Sequence, residues 1–283
     1  IINGLIKPRA KVVKPTEPLV SLRTIGQNGM LVVMLRSHGD FVQIIEFFVG
    51  TSEFSDYFRI CVNVFRDYLF NRRFAHTAPF YTGGRPADPV CVVYLMMPLY
   101  CYSLYGDDSV IKAEYPNLKK WVDFLLSKTE NGIMTYSYYA DWVNPTCFGV
   151  KADNLFVSTL SLYWHLKLMT EISFVAGEKE DEKFYAARAE EVKKAINAKY
   201  YNEKTHSYAG GTQTENAMPL TLGVAPEKDR AAIAENVVKD VIARNYHSTC
   251  GNVGVIPQGI STWYKVLSPS RFQFETTLPL IVS

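Results

Sequence analysis

Apolar positions recur at steps of three and four along most of this chain. The clearest run is Phe156, Leu160, Tyr163, Trp164, Leu168, Ile172 and Val175, with Lys167 and Glu171 inside it, closing at Gly177. Five turns of that pattern predict a long, largely buried helix. After the charged turn at residues 178–182, a second helix is predicted through Phe184, Ala187, Glu191, Ile196 and Tyr200. Its other face, rich in Ala, Glu and Lys, is turned to solvent. The same spacing marks residues 54–70, 90–105, 115–128, 212–222 and 227–245, each bounded by Gly, Pro or Asn/Asp signals. Connections at 80–88, 131–150, 202–211 and 247–254 carry aromatics and glycines. Residues 1–24, with Pro8, Pro15 and Pro18, suit a linker or the extended end of a preceding β domain, which leaves 25–283 as one helical domain. Few strand candidates appear, so a parallel α/β sheet is disfavoured. No repeat of fixed period is visible, so an all-α closed ring of helix hairpins is expected ahead of a solenoid.

Composition narrows the function. The chain has 283 residues, 48% of them hydrophobic, enough for a sizeable core. Its 30 basic and 28 acidic residues leave a net charge of +2, too little to capture a nucleic acid or an anionic membrane by bulk charge. The apolar run at 90–104 contains Pro98 and falls short of the roughly 20 residues that span a bilayer. Neither nucleic acid nor membrane is therefore expected as a partner, while a homodimer stays open. The chain opens at Ile1 with no leader pattern and reads as a fragment or a mature piece. Cys61, Cys91, Cys101, Cys147 and Cys250 are odd in number and widely spaced, and read as buried free thiols. That weakly favours a reducing compartment, although bacterial cytoplasm and periplasm both stay open.

Most catalytic signatures are missing. There is no phosphate-binding glycine loop, no HExxH and no GxSxG, and His38, His76, His165, His206 and His247 are isolated from one another. No cofactor and no metal are expected. What remains is carboxylates beside aromatic rings in the connections, the combination that sugar-processing clefts use. The best example is the stretch TYSYYADWVNP, where Asp141 and Trp142 follow Tyr136, Tyr138 and Tyr139. Trp142 as a core anchor and Asp141 as a helix cap explain the same residues without a site. Asp88 opens a helix and suits a cap equally well. His165, on the long apolar helix, reads as a core histidine, whereas His247, in a glycine-containing loop, suits a substrate contact. The three tyrosines suit either a cleft wall or the rim of a short hairpin at Asn131-Gly132.

The order of DWVNP, the long helix, KYYNEKTHSYAGGTQTENAMPL with its following LGV, and the TCGNVG loop resembles the catalytic domain of bacterial α-L-rhamnosidases, glycoside hydrolase family 78. The resemblance covers roughly residues 100–254. It implies an (α/α)6 toroid, and hydrolysis of terminal α-L-rhamnose from a rhamnose-containing glycoside or oligosaccharide with inversion at the anomeric carbon. Inversion needs a protonated acid at the glycosidic oxygen and a second carboxylate, about 6.5–9.5 Å away, to activate water. Carried over, Asp141 and Trp142 match the family's Asp-Trp loop, and Asp88 matches an earlier acid near the sugar. The family's acid motif, resembling DxPxRERxGWxGD, corresponds here to NGMLVVMLRSHGDFVQ; Val33 stands at the glutamate position and Asp40 is the acid that carries over. The family's base closes a motif like GATTxWE; GISTWY and ETTLPL compete for that place without supplying its carboxylate. Glu275 is the only acid after Asp240. Asp40 and Glu275 are therefore the catalytic candidates, and Asp88, Asp141, Trp142 and His247 the substrate-binding ones. A diverged rhamnoside-binding relative without turnover, another (α/α)6 glycosidase, or acids drawn from positions such as Glu46 or Glu53 are the alternatives.

Overall fold

In a computed structural model of the chain, the described residues are 22–23, 32–33, 88–145 and 149–254. They fall into two compact units. One contains residues 22–23, 32–33 and Val93–Asn117; the other contains Asp88–Val92 and the residues from Leu118 onward.

In the first unit, β1 (Leu22–Arg23) pairs antiparallel with β2 (Val32–Val33), Leu22 opposite Val33. Helical spacing expected from Thr24 onward therefore gives way at Val32–Val33, where two β-branched residues run extended. Helix α1 (Val93–Tyr105) keeps Pro98 inside it and buries Tyr94, Leu95, Met97, Leu99 and Cys101. Burial, reinforced by the charge of Glu114, pushes the Tyr94 phenol up and keeps it neutral. Helix α2 (Ser109–Leu126) starts six residues before the predicted 115. Asp107 sets that start, its Oδ1 accepting the Ser109 N–H at 3.1 Å and the Ser109 hydroxyl at 2.6 Å.

The core of the second unit is α3 (Asn154–Ala176), the long helix expected from the apolar spacing. Fourteen of its 23 residues are buried, more than one amphipathic face accounts for, so the helix is enclosed by neighbours on most sides. Asp153 caps its start by accepting the Phe156 N–H at 2.7 Å, and Gly177 ends it in the left-handed region at φ 82°. Helix α4 (Lys179–Tyr200) lies against α3 and differs from expectation in two ways. The acids Glu180, Asp181 and Glu182 form its first turn, where they face the positive end of the helix dipole, and are not a connecting turn. Its buried stripe is Tyr185, Ala189, Val192 and Ile196, while Phe184 is 47% exposed and Ala187 is exposed. Each large apolar side chain in that stripe contributes roughly 1.5–3 kcal/mol by leaving water. The Tyr185 hydroxyl donates to Asp123 at 2.6 Å, tying α4 to the end of α2.

Three further pieces complete the unit. The hairpin β3 (Thr129–Glu130) and β4 (Ile133–Met134) turns at Asn131-Gly132, and the Thr159 hydroxyl of α3 accepts the Met134 N–H at 3.1 Å. A second hairpin, β5 (Tyr201–Asn202) with β6 (Ser207–Tyr208), follows α4 directly. Helix α5 (Gln213–Thr221) and helix α6 (Arg230–Ala243), preceded by a 3-10 turn at Glu227–Asp229, pack together. Both lie close to the predicted 212–222 and 227–245. The helix predicted at 54–70 falls outside the described residues. Among the described residues, no helix is long and apolar enough to cross a membrane.

Candidate active site

Four consecutive side chains at the start of α5 each reach a different segment, and all four are at most 2% exposed. Gln213 donates through Nε2 to Asp240 Oδ2 of α6 at 2.8 Å and to the His247 carbonyl at 3.2 Å, and its Oε1 accepts the Thr249 N–H at 2.9 Å. The Thr214 hydroxyl donates to Asp141 Oδ2. Glu215 Oε1 accepts the Asp153 N–H at the start of α3 at 2.7 Å, and its Oε2 accepts the Thr212 N–H at 2.9 Å, closing a capping box with Thr212. Asn216 accepts the Tyr208 N–H at 3.0 Å and donates to the Gly211 carbonyl at 3.1 Å. None of these four was singled out from the sequence. The signal that finds them is the capping box, Thr212 and Glu215 three residues apart directly after Gly210-Gly211.

Asp141 is the centre of a second set of contacts. Besides Thr214, its Oδ2 accepts the Gly251 N–H at 2.8 Å, and its Oδ1 accepts the N–H of Val253 at 3.1 Å and of Gly254 at 2.9 Å. A carboxylate offers about four lone-pair sites, and all four are met here by protein donors. Asp141 caps no helix. It pins the loop 251–254 onto the loop that carries Trp142, and the Asn252 N–H adds a bond to the Trp142 carbonyl at 2.8 Å. Gly251 and Gly254 are required by the closeness of that contact. A β-carbon on Gly251 would sit 2.5 Å from the Asp141 carbonyl oxygen, and one on Gly254 would sit 2.7 Å from Thr214 Cγ2.

Asp88 acts at the other end of the same loop. It is fully buried, its Oδ1 accepts the Val90 N–H at 3.0 Å, and its Oδ2 accepts the N–H groups of Tyr138 and Tyr139, the latter at 2.8 Å. The aromatic run lies beyond β4 and so is not the hairpin's rim. Tyr136 and Tyr138 stand 5.3 Å apart, and Tyr139 stands 5.3 Å from Trp142 at 46° between ring planes. Trp142 is half-buried, with Val143 beside it 58% exposed, so the indole is at a surface and not locked in the interior. Burial, with the charge of Asp88 next, pushes the Tyr136 phenol up and keeps it neutral. His247 is exposed, and its Nδ1–H donates to the Arg244 carbonyl at 2.8 Å.

The structure thus brings Asp141, Trp142 and the 247–254 loop together through adjacent residues of α5, with Asp88 bracing the approach to Trp142. Asp40 and Glu275 lie outside the described residues, as do Glu46 and Glu53. His165 is a core residue; its Nδ1–H donates to the Ser161 carbonyl at 2.8 Å, and burial holds its imidazole down at about 4. Cys250 is a buried free thiol pushed up to about 11, chiefly by burial, and so is held in its un-ionised form. Cys61 and Cys147 lie outside the described residues. Among the described residues, no group of three His, Cys, Asp or Glu side chains is arranged to hold a metal ion.

Comparison with known proteins decides the family. The profile of the bacterial alpha-L-rhamnosidase six-hairpin glycosidase domain matches residues 55–260. The chain belongs to this family. Its helix pairs are accordingly those of an (α/α)6 fold, as the resemblance implies. A rhamnosidase structure from Dictyoglumus thermophilum superposes with a TM-score of 0.65 at 27% identity, covering 77% of this chain and 25% of that one. A Streptomyces avermitilis α-L-rhamnosidase complexed with L-rhamnose gives a TM-score of 0.60 at 20% identity, over 71% of this chain and 19% of that one. A curated α-L-rhamnosidase from Alteromonas sp. (strain LOR) is 23% identical over 167 residues, which are 56% of this chain and 18% of that protein. The chain therefore spans less than a fifth of the length of that relative.

Proposed function

We propose that this chain forms the sugar-binding part of an α-L-rhamnosidase that removes terminal α-L-rhamnose from rhamnosides by an inverting, two-carboxylate mechanism. The observation that carries the sugar site is the doubly braced loop from Tyr138 to Trp142. Asp88 holds one end, Asp141 locks the other onto residues 251–254, and the half-buried indole remains at the surface. A 6-deoxy sugar presents a methyl group and an apolar ring face, and an indole held this firmly meets both without first paying an ordering cost. In this reading Trp142 and Tyr139 form the wall, and His247 contacts a sugar hydroxyl. Asp88 and Asp141 serve by fixing loops, because protein donors already occupy their carboxylates. Asp40 is the proposed general acid and Glu275 the proposed base, the first protonating the leaving oxygen and the second activating water on the opposite face of the ring. Membership of the rhamnosidase family, and relatives named for that activity, support the substrate.

The test is release of free L-rhamnose from an aryl α-L-rhamnoside, with the product anomer followed by NMR. Initial formation of the β-anomer supports inversion, and the α-anomer overturns it. Trp142→Ala is expected to raise KM about tenfold, the equivalent of one lost ring contact. A Trp142→Ala protein that melts early but keeps its KM would remove the indole from the site.

A further inference from the structure

We propose that Gln213 is a positioning residue for the rhamnoside site, setting the place of the 247–254 loop relative to Trp142. This rests on the sugar-site assignment above. The amide is fully buried, and each of its polar atoms is engaged. Its two N–H donors go to Asp240 and to the His247 carbonyl, and its oxygen takes the Thr249 N–H at 2.9 Å, with the Cys250 thiol 3.9 Å away. The next residue, Thr214, fastens Asp141, which in turn fastens Gly251, Val253 and Gly254. One helical turn therefore grips both ends of the loop: Gln213 holds 247–250 and, through Asp141, Thr214 holds 251–254. Only a primary amide supplies two donors and an acceptor at this point in an uncharged group. A hydrophobe of the same length would leave the Thr249 N–H without its partner and take from Asp240 one of its donors, and a carboxylate would repel Asp240.

That chemistry gives a variant with a distinctive pH signature. The charged and titratable groups around the position are Asp240 on α6 and Arg244 directly after it, Glu215 on α5 itself, and Asp141, His247 and Cys250 on the loops. Arg244 Nε already donates to Asp240 at 2.9 Å. Burial and Asp240 both raise a carboxyl group at this position, so in Gln213→Glu at pH 9 the new carboxylate faces Asp240 and the His247 carbonyl with no proton to give. In acid, a protonated Glu donates one O–H to Asp240 and still accepts from Thr249. In fluorescence titrations with L-rhamnose, Gln213→Glu is expected to bind about tenfold more weakly than the wild-type chain at pH 9 and within about twofold of it at pH 4.5, compared at the same pH. Gln213→Met is expected to bind weakly at both. A merely structural residue would lower the melting temperature without this pH-dependent ratio, and a Gln213→Glu ratio near one, or one that does not move with pH, overturns the proposal. Hydrogen exchange at the Thr249 amide separates the two readings. Protection lost in Gln213→Glu at pH 9 and regained in acid supports the grip on the loop, and unchanged protection overturns it whatever the titration gives. A wild-type chain without affinity for rhamnose overturns the sugar-site assignment and leaves the exchange result to judge the grip alone.

Discussion

At the scale of single residues, the candidate site is organised by close approaches between backbone segments. Gly251 is the sharpest case, because the atoms a β-carbon would meet belong to the backbone of Asp141, whose carboxylate is held by four donors, and of Trp142, whose carbonyl accepts the Asn252 N–H. Nothing there can swing aside. Gly251→Ala is expected to destabilise the chain by about 2 kcal/mol or more, the cost of overpacking a rigid contact. Gly177→Ala provides the control. It has the left-handed backbone of φ 82° but nothing within 4 Å of an added β-carbon, so only the conformational cost of about 1 kcal/mol applies. Urea unfolding of both variants checks the order, and a Gly251→Ala loss no greater than that of Gly177→Ala would show that the two loops are not in close contact in solution.

At the scale of elements, what the sequence disclosed depended on how each helix is surrounded. Helix α3 was legible because it is apolar on most sides, so any alignment of the period finds buried positions, and Asp153 and Gly177 mark its ends chemically. The pattern of α4 was legible as a helix but not in its facing. Phe184 and Tyr185 are adjacent aromatics, and packing against α3 and Asp123 selects Tyr185, which no periodicity decides. The interior of α3 also carries a titratable group with a measurable consequence. Burial holds folded His165 at about 4, below the 6.5 of an exposed imidazole. Between those values the unfolded chain binds a proton that the folded chain refuses, so stability falls as pH drops from 6.5 toward 4 and is insensitive to this group above 6.5. The loss approaches about 3 kcal/mol. His165→Phe, which keeps an aromatic ring beside Trp121, is expected to lose less stability than the wild-type chain between pH 7 and pH 4.5, as read by urea midpoints. Equal losses would show that other groups govern the acid limb.

At the scale of the whole molecule, the sequence disclosed the helical class and singled out Asp88, Asp141 and Trp142, but not the contacts that hold the two carboxylates. In one dimension Asp88, between Ala87 and Pro89, and Asp141, beside Trp142, suit helix caps or substrate contacts equally. In three dimensions Asp88 accepts the Val90 N–H two residues on, but the other N–H donors to the two carboxylates come from residues 50, 51, 110, 112 and 113 positions away, which no local pattern encodes. The same division between buried and exposed charge sets how the chain responds to salt. Lys112–Asp108, Lys183–Glu180, Arg188–Glu191 and Lys228–Glu203 are ion pairs whose side chains are all more than a third exposed. Each contributes little, and salt screens what it does contribute. The contacts that shape the site are of the other kind: Asp141 and Asp88 bind neutral donors, and at 4% and 0% exposure they lie out of reach of mobile ions. With a net charge of only +2, there is no long-range self-repulsion for salt to relieve either. Raising NaCl from 0.05 to 0.5 M is therefore expected to move the melting temperature by less than about 2 °C and to leave rhamnose affinity unchanged. A melting temperature that falls steeply with salt would place the stabilising charges at the surface and not in the buried clamps, and would make the exposed pairs, in place of Asp141 and Asp88, the groups that hold the loops in register.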